Sequence, residues 1–184
     1  MNKYIRVAFL APFSAIKIGW TKLFHFSSFR CSPVSILSPH TEITLDRHSK
    51  LIIGKRFQMK DGAKIRVRKN AVCRIGKNIS INSNNVIACH ERIEIGDNVQ
   101  FATNVQIYDH DHDFRVEGGI GENKYRTAPV VIGNNVWFGA NTVVLRGTTI
   151  GDNTVIGAGS VIKGNIPANS VVVQKRTTDI YEID

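Results

Sequence analysis

Cysteine is scarce in this chain. Three thiols, Cys31, Cys73 and Cys89, are scattered irregularly over 184 residues. An odd number at uneven spacing excludes a fully paired disulfide framework and suits a reducing compartment. Cys73 and Cys89 occupy positions of the repeat described below and read as small packing residues. Acidic side chains are nearly missing from the first part of the chain. Up to Ser80 there are sixteen Lys/Arg against three Asp/Glu, and from Ile81 on eight against twelve, within a net charge of +9. Such a basic half can meet an anionic partner, a membrane surface or an acidic glycan. No nucleic-acid-binding motif accompanies it, so nucleic acid is not an expected partner. A long apolar run is missing too. Tyr4 to Phe26 is apolar and aromatic, but Arg6, Lys17 and Lys22 interrupt it, and a bilayer needs about 20 unbroken residues. No small-x-small site follows this run, so a cleaved signal peptide is not expected.

Within residues 1–30, Ile5, Phe9, Ile16, Trp20, Leu23 and Phe24 recur at helical spacing, and Pro12 predicts a break. Such a helix either caps the rest of the fold, packs on a neighbouring subunit, or lies in the membrane interface. The expected location is cytoplasmic, with peripheral contact at the inner face of the membrane through these residues.

What the chain has in abundance is a pattern of six. From Ile132 it reads Ile-Gly-Asn-Asn-Val-Trp, then Phe138-Gly-Ala-Asn-Thr-Val, and so on through the hexads opening at Val144, Ile150, Ile156 and Ile162. Earlier hexads open at Ile53, Met59, Ile65, Ile75, Ile81, Ile87, Ile95 and Phe101. A fixed short period identifies a solenoid. Three hexads make one coil of three short strands, with one apolar side chain per strand turned inward. Ile132, Val144, Ile150, Ile156 and Ile162 then form part of a continuous buried column. Asn, Asp and Gly fit the corners, because they accept positive φ or bond their own backbone.

The pattern breaks between Ile107 and Ile132. Residues 108–129 read as a loop thrown out of the solenoid and begin Tyr-Asp-His-Asp-His-Asp. A long excursion from a rigid repeat is where function is placed. The chain therefore divides into a helical extension and connector over 1–40, a repeat domain over 41–172 containing the 108–129 loop, and a tail over 173–184.

Three stretches together carry a resemblance: Ile95-Gly-Asp-Asn-Val, the histidine loop from Tyr108, and Ile132-Gly-Asn-Asn-Val-Trp-Phe-Gly-Ala continuing through Ile150-Gly-Asp-Asn-Thr-Val-Ile-Gly-Ala-Gly-Ser-Val. In these the chain resembles the hexapeptide-repeat acyltransferases, nearest the branch of galactoside, maltose and capsule or O-antigen O-acetyltransferases. The resemblance implies an all-β fold, a left-handed parallel β-helix with a protruding loop and an N-terminal helical extension. It also implies a homotrimer with active sites in the clefts between subunits. The acyl donor would be acetyl-CoA and the acceptor a sugar hydroxyl, free, lipid-linked or in a polysaccharide.

Acyl transfer to a hydroxyl needs a general base. In similar enzymes a loop histidine serves. Ungapped counting points to His112 and the local context to His110, and both stay as candidates. One of Asp109, Asp111 and Asp113 would orient the imidazole, and Asp109 and Asp111 would meet the acceptor. Asn82 and Asn84 fall where similar enzymes contact the acceptor, with Asn82 favoured by counting; as plain corner residues they need no such role. By the same resemblance Trp137, Gly139, Ala140, Ala158 and Lys163 would line the thioester groove, and Lys163, Lys175 and Arg176 would meet the phosphates of coenzyme A. The Val173-Gln-Lys-Arg-Thr-Thr ending departs from the family's Gly-x-Pro followed by a basic residue, so the nucleotide end of the donor is left without a single assigned arginine. Other readings are N-acetylation of an amino sugar, a non-catalytic scaffold, and a metal lyase using His90, His110 and His112. The two loop histidines stand too close together for the last, and no metal is expected.

Overall fold

The computed structural model describes residues 3–175 and 177–181, with side chains from residue 9 onward. Helix α1 (Lys3–Phe24) is followed by a parallel β-solenoid. Its strands stack into three faces, with the first running from Phe29–Cys31 to Asn165–Ile166. The second runs from Ser35–Leu37 to Val171–Val172, and the third from Glu42–Leu45 to Val161–Ile162. Strands follow one another around the three faces in chain order, giving six complete coils and a partial seventh. Every pairing between coils is parallel.

The solenoid begins earlier than the hexads suggest. Phe29–Cys31 pairs with Lys50–Ile53, and Ser35–Leu37 with Phe57–Met59, so the stretch read as a connector is part of the first coil. Its two prolines, Pro33 and Pro39, sit at corners rather than in strands. The helix differs from expectation as well. It runs unbroken through Pro12. The loss of one intrahelical bond costs about 3 kcal/mol, against a docked run from Ser14 to Ile18. Ser14 Oγ accepts from the Leu37 N–H at 2.8 Å, Ile18 joins the core, and Lys17 Nζ donates to Thr41 Oγ1 at 2.8 Å. The helix thereby covers strand edges that the first coil would otherwise leave open. At the other end Gln174 performs the same service. Its amide accepts from Val161 N at 2.9 Å and donates to Val161 O at 2.7 Å, standing in for the missing third strand of the last coil.

The column is as read: Ile132, Val144, Ile150, Ile156 and Ile162 are buried. One inward side chain per strand holds for the two-residue strands of the later coils. The longer strands of the first coils bury two, as Phe57 and Met59 or Ile65 and Val67 do. Phe101 and Phe138 stack between adjacent coils with ring centres 5.0 Å apart. Cys73 is fully enclosed, and burial, aided by the charge of Asp109, pushes its thiol up to about 12.

Corners are built by two devices. The fourth hexad position takes positive φ: Asn78, Asn98, Asn135, Asn153 and Asn169 repeat it on one edge and bond amide to amide up the stack at 2.9–3.0 Å. The fifth position is Thr or Ser at Thr142, Thr148 and Ser160. Each hydroxyl is buried and donates to the carbonyl three residues back, at 2.6–2.7 Å. The polar fifth position therefore serves the turn.

Candidate active site

The excursion after Ile107 is an ordered hairpin. His110–His112 pairs antiparallel with Tyr125–Thr127, and a short 3-10 turn, Gly119–Glu122, closes the far side. It leaves the solenoid at the corner between the third and first faces, where Asp109 anchors it. That carboxylate is wholly buried and accepts the backbone N–H groups of His90 (2.7 Å), Glu91 (2.8 Å) and Arg92 (2.8 Å) from the coil below. His110 Nδ1 lies 3.2 Å from the same carboxylate. Burial pushes the Asp109 acid up, but these bonds outweigh it and hold it below the usual carboxylate range.

Alternation along the strand sorts the loop's charges. His110 and His112 share one side of the hairpin with Tyr125; Asp111 faces the other way and pairs with Arg146 of the next coil. The rings form an array. His90 stacks on His110 with centres 3.5 Å apart and planes 22° from parallel. Tyr125 lies 4.4 Å from His90, 5.4 Å from His110 and 4.6 Å from His112. His112 is the exposed end of this array, whereas the His110 side chain is only 13% exposed. Faces of His90 and His110 meet, so their nitrogens lie in near-parallel planes and do not converge on one point. Among the described residues no group of three or more His, Cys, Asp or Glu is placed to hold a metal ion.

Burial, and then the neighbouring His110, push the His90 imidazole from its ordinary 6.5 down to about 4; Arg68 acts in the same direction, while Asp109 and Asp46 oppose it. Because the folded value lies below the unfolded one, neutral His90 stabilises the corner fully above pH 6.5, and that contribution is lost as pH falls toward 4. The thermal midpoint of the wild type should therefore fall over this window, and His90→Phe should flatten the fall. Equal slopes in the two proteins would remove His90 as the cause.

The other candidates lie elsewhere. Asn82, Asn84, Gly139, Ala140 and Ala158 all sit at the corner between the second and third faces, with Trp137 beside them on the second face. Trp137 is 54% exposed. Asn84 takes φ 59° and so does a corner's work, while Asn82 Oδ1 accepts from Ser83 N at 3.1 Å. Gly139 has a packing role in the coil. It is buried, and a Cβ there would come within 2.5 Å of the Ala158 backbone nitrogen, so the missing side chain serves coil stacking. Ala140 and Ala158 keep some exposure at that corner. Lys163 is exposed but belongs to the hairpin's corner, one strand away from Ala158. Lys175 is exposed past the last strand, and Arg176 lies outside the described residues. One protomer thus places the histidines and the proposed groove on different corners.

Three contributors escaped the sequence reading as members of this site: Tyr125, Arg146, and His90 outside a metal role. His90 was legible in principle. Ala88 pairs in register with Tyr108, so His90 and His110 hold the same position in consecutive coils. The registers Ile107↔Val144 and His112↔Tyr125 place the other two.

Residues 129–164 match the family described as "Bacterial transferase hexapeptide (six repeats)". Over 127 residues the chain is 33% identical to an Escherichia coli (strain K12) protein named "Putative lipopolysaccharide biosynthesis O-acetyl transferase WbbJ", and the match spans 65% of each chain. The fold is similar to that of a maltose O-acetyltransferase from Clostridium difficile 630, at 26% identity and TM-score 0.50, over 88% of this chain and 82% of that one. It also overlays a variant of AntD, an N-acyltransferase from Bacillus cereus in complex with dTDP and coenzyme A. There the TM-score is 0.68 over 89% of both chains, and the 20% identity makes this a likeness of fold alone. The six stacked coils agree with the repeat matched over residues 129–164, and what the chain shares with these proteins is that hexapeptide repeat and the fold built from it.

Proposed function

We propose that the chain is an acetyl-CoA-dependent O-acetyltransferase that modifies a sugar hydroxyl during synthesis of a surface polysaccharide, and that it works as a homotrimer. The observation that carries the reading is the hairpin. It is an ordered excursion, pinned by a buried carboxylate, that presents a histidine at its exposed end. The similarity to O-acetyltransferases at 33% and 26% identity supports the reaction class.

His112 takes the proton from the acceptor hydroxyl. The oxygen forms a bond to the thioester carbonyl carbon, the C–S bond breaks, and the departing thiolate takes the proton back from the imidazolium. Trp137, Ala140 and Ala158 offer a flat aromatic and two small side chains against which a pantetheine arm can lie. Since they stand on another corner from His112, the groove of one protomer and the base of the next would complete each site in a trimer. Asn82, on the groove's corner, would meet the acceptor.

A second assignment rests on the Asp109–His110 contact, which is a base-orienter pair in form. There His110 would be the base and His112 would contact the acceptor. The overall reaction is tested by incubating purified protein with acetyl-CoA and a panel of sugars while following free thiol. Thiol release that depends on a sugar, with a product cleaved by alkaline hydroxylamine, is the expected result. A hydroxylamine-stable amide would replace it with N-acetylation, and no release with any sugar or lipid-linked sugar would leave a scaffold.

A further inference from the structure

Helix α1 carries two stripes. Ser14, Lys17 and Ile18 rest on the first coil. Phe9, Phe13, Ile16, Trp20, Leu23 and Phe24, again at helical spacing, are turned to solvent. Phe9 is 76% exposed, Leu23 71%, and Phe26 just beyond the helix 87%. A contiguous apolar face of this kind marks an interaction surface.

The charge around it narrows the partner. The chain has no Asp or Glu before Glu42, while Lys3, Arg6, Lys17, Lys22 and Arg30 fall in that stretch. Beside the helix lies a groove of about 520 Å³ lined by Lys22, Arg30 and Lys55 together with Phe26, Phe29 and Ile53. Cations set among apolar side chains suit a lipid phosphate with its acyl chains alongside. A second copy docked helix to helix would bring two cationic surfaces together with no acidic side chain from either segment. No helix among the described residues is long and apolar enough to cross a membrane, and Lys17 ties this one to Pro39 and Thr41 of the coil.

We propose that this end of the solenoid is a docking surface for an anionic lipid bilayer, with the aromatic stripe at the headgroup boundary and Lys22, Arg30 and Lys55 holding lipid phosphate. The surface does not depend on the catalytic reading. It is tested by floating the full chain with vesicles of phosphatidylglycerol and phosphatidylcholine, and with vesicles of phosphatidylcholine alone. The expected result is flotation with the anionic vesicles only, weakened by salt. The triple variant Lys22→Gln, Arg30→Gln, Lys55→Gln should lower partitioning about 100-fold. Trp20→Ser with Leu23→Ser should also reduce it, with an unchanged circular dichroism spectrum. Equal partitioning into both vesicle types, or full binding by the triple variant, would overturn the proposal. So would a fall in the sedimentation coefficient of the lipid-free Trp20→Ser, Leu23→Ser protein, since the stripe would then be the contact between copies.

Discussion

Replacing His112 by alanine should lower kcat/KM for acetyl transfer by about 10²–10⁴ with little change in thermal midpoint. A general base contributes on that scale, and the side chain is exposed at the end of the ring array, where its ring meets Tyr125. His110→Ala should show the opposite balance. That ring fills the space between His90, Tyr125 and Asp109, so its removal loosens the hairpin and lowers stability, with a smaller direct effect on the chemical step. The two variants, assayed side by side with the acceptor found in the screen, separate the assignments. If His112→Ala retains wild-type turnover and His110→Ala loses it, the Asp109–His110 pair is the base.

Asp109→Ala should be the most damaging single change to the site's architecture. The carboxylate satisfies three backbone N–H groups from the coil below, at 2.7–2.8 Å, in a fully buried position. Alanine leaves all three without an acceptor. A buried orphan costs roughly 1–3 kcal/mol, and because these bonds are only part-buried at Glu91 and Arg92 a loss toward the lower end for each, local to this corner, is expected. Because a solenoid need not unfold as one unit, the readout should be local too. Amide hydrogen exchange at His90, Glu91 and Arg92 should accelerate strongly, while amides of the last coils stay protected. Asp109→Asn keeps one acceptor oxygen and should fall between the two. Unchanged exchange at these three amides in Asp109→Ala would show that something else holds the corner.

The fold was legible because the hexad is a direct record of geometry. Each apolar start residue from Ile53 to Ile162 marks an inward position, and the Asn two residues after Gly76, Gly96, Gly133 and Gly151 marks a left-handed corner. The first coil was hidden because its strands around Phe29 and Ser35 carry no Ile-Gly signature and are held by helix α1 instead of a further coil. Asp109 illustrates the limit for the site. In the string Asp-His-Asp-His-Asp it is indistinguishable from Asp111 or Asp113, yet it alone has lost all exposure, because it continues the inward alternation of Ile107 and its carboxylate turns onto the coil below as the hairpin leaves. Gly139 is a second case: its small size also serves contact between coils, which the sequence pattern does not distinguish from access.

The stacking of identical steps has one more consequence. Helix α1 lies on the first coil and the hairpin springs from the fourth. At about 4.8 Å per coil the two stand about 14 Å apart along the axis. The solenoid is in this respect a measuring rod with whole-coil graduations. Inserting or deleting one coil would raise or lower the histidines by a single step while leaving both ends intact, so the height of the hairpin above the helix is adjustable without redesigning either.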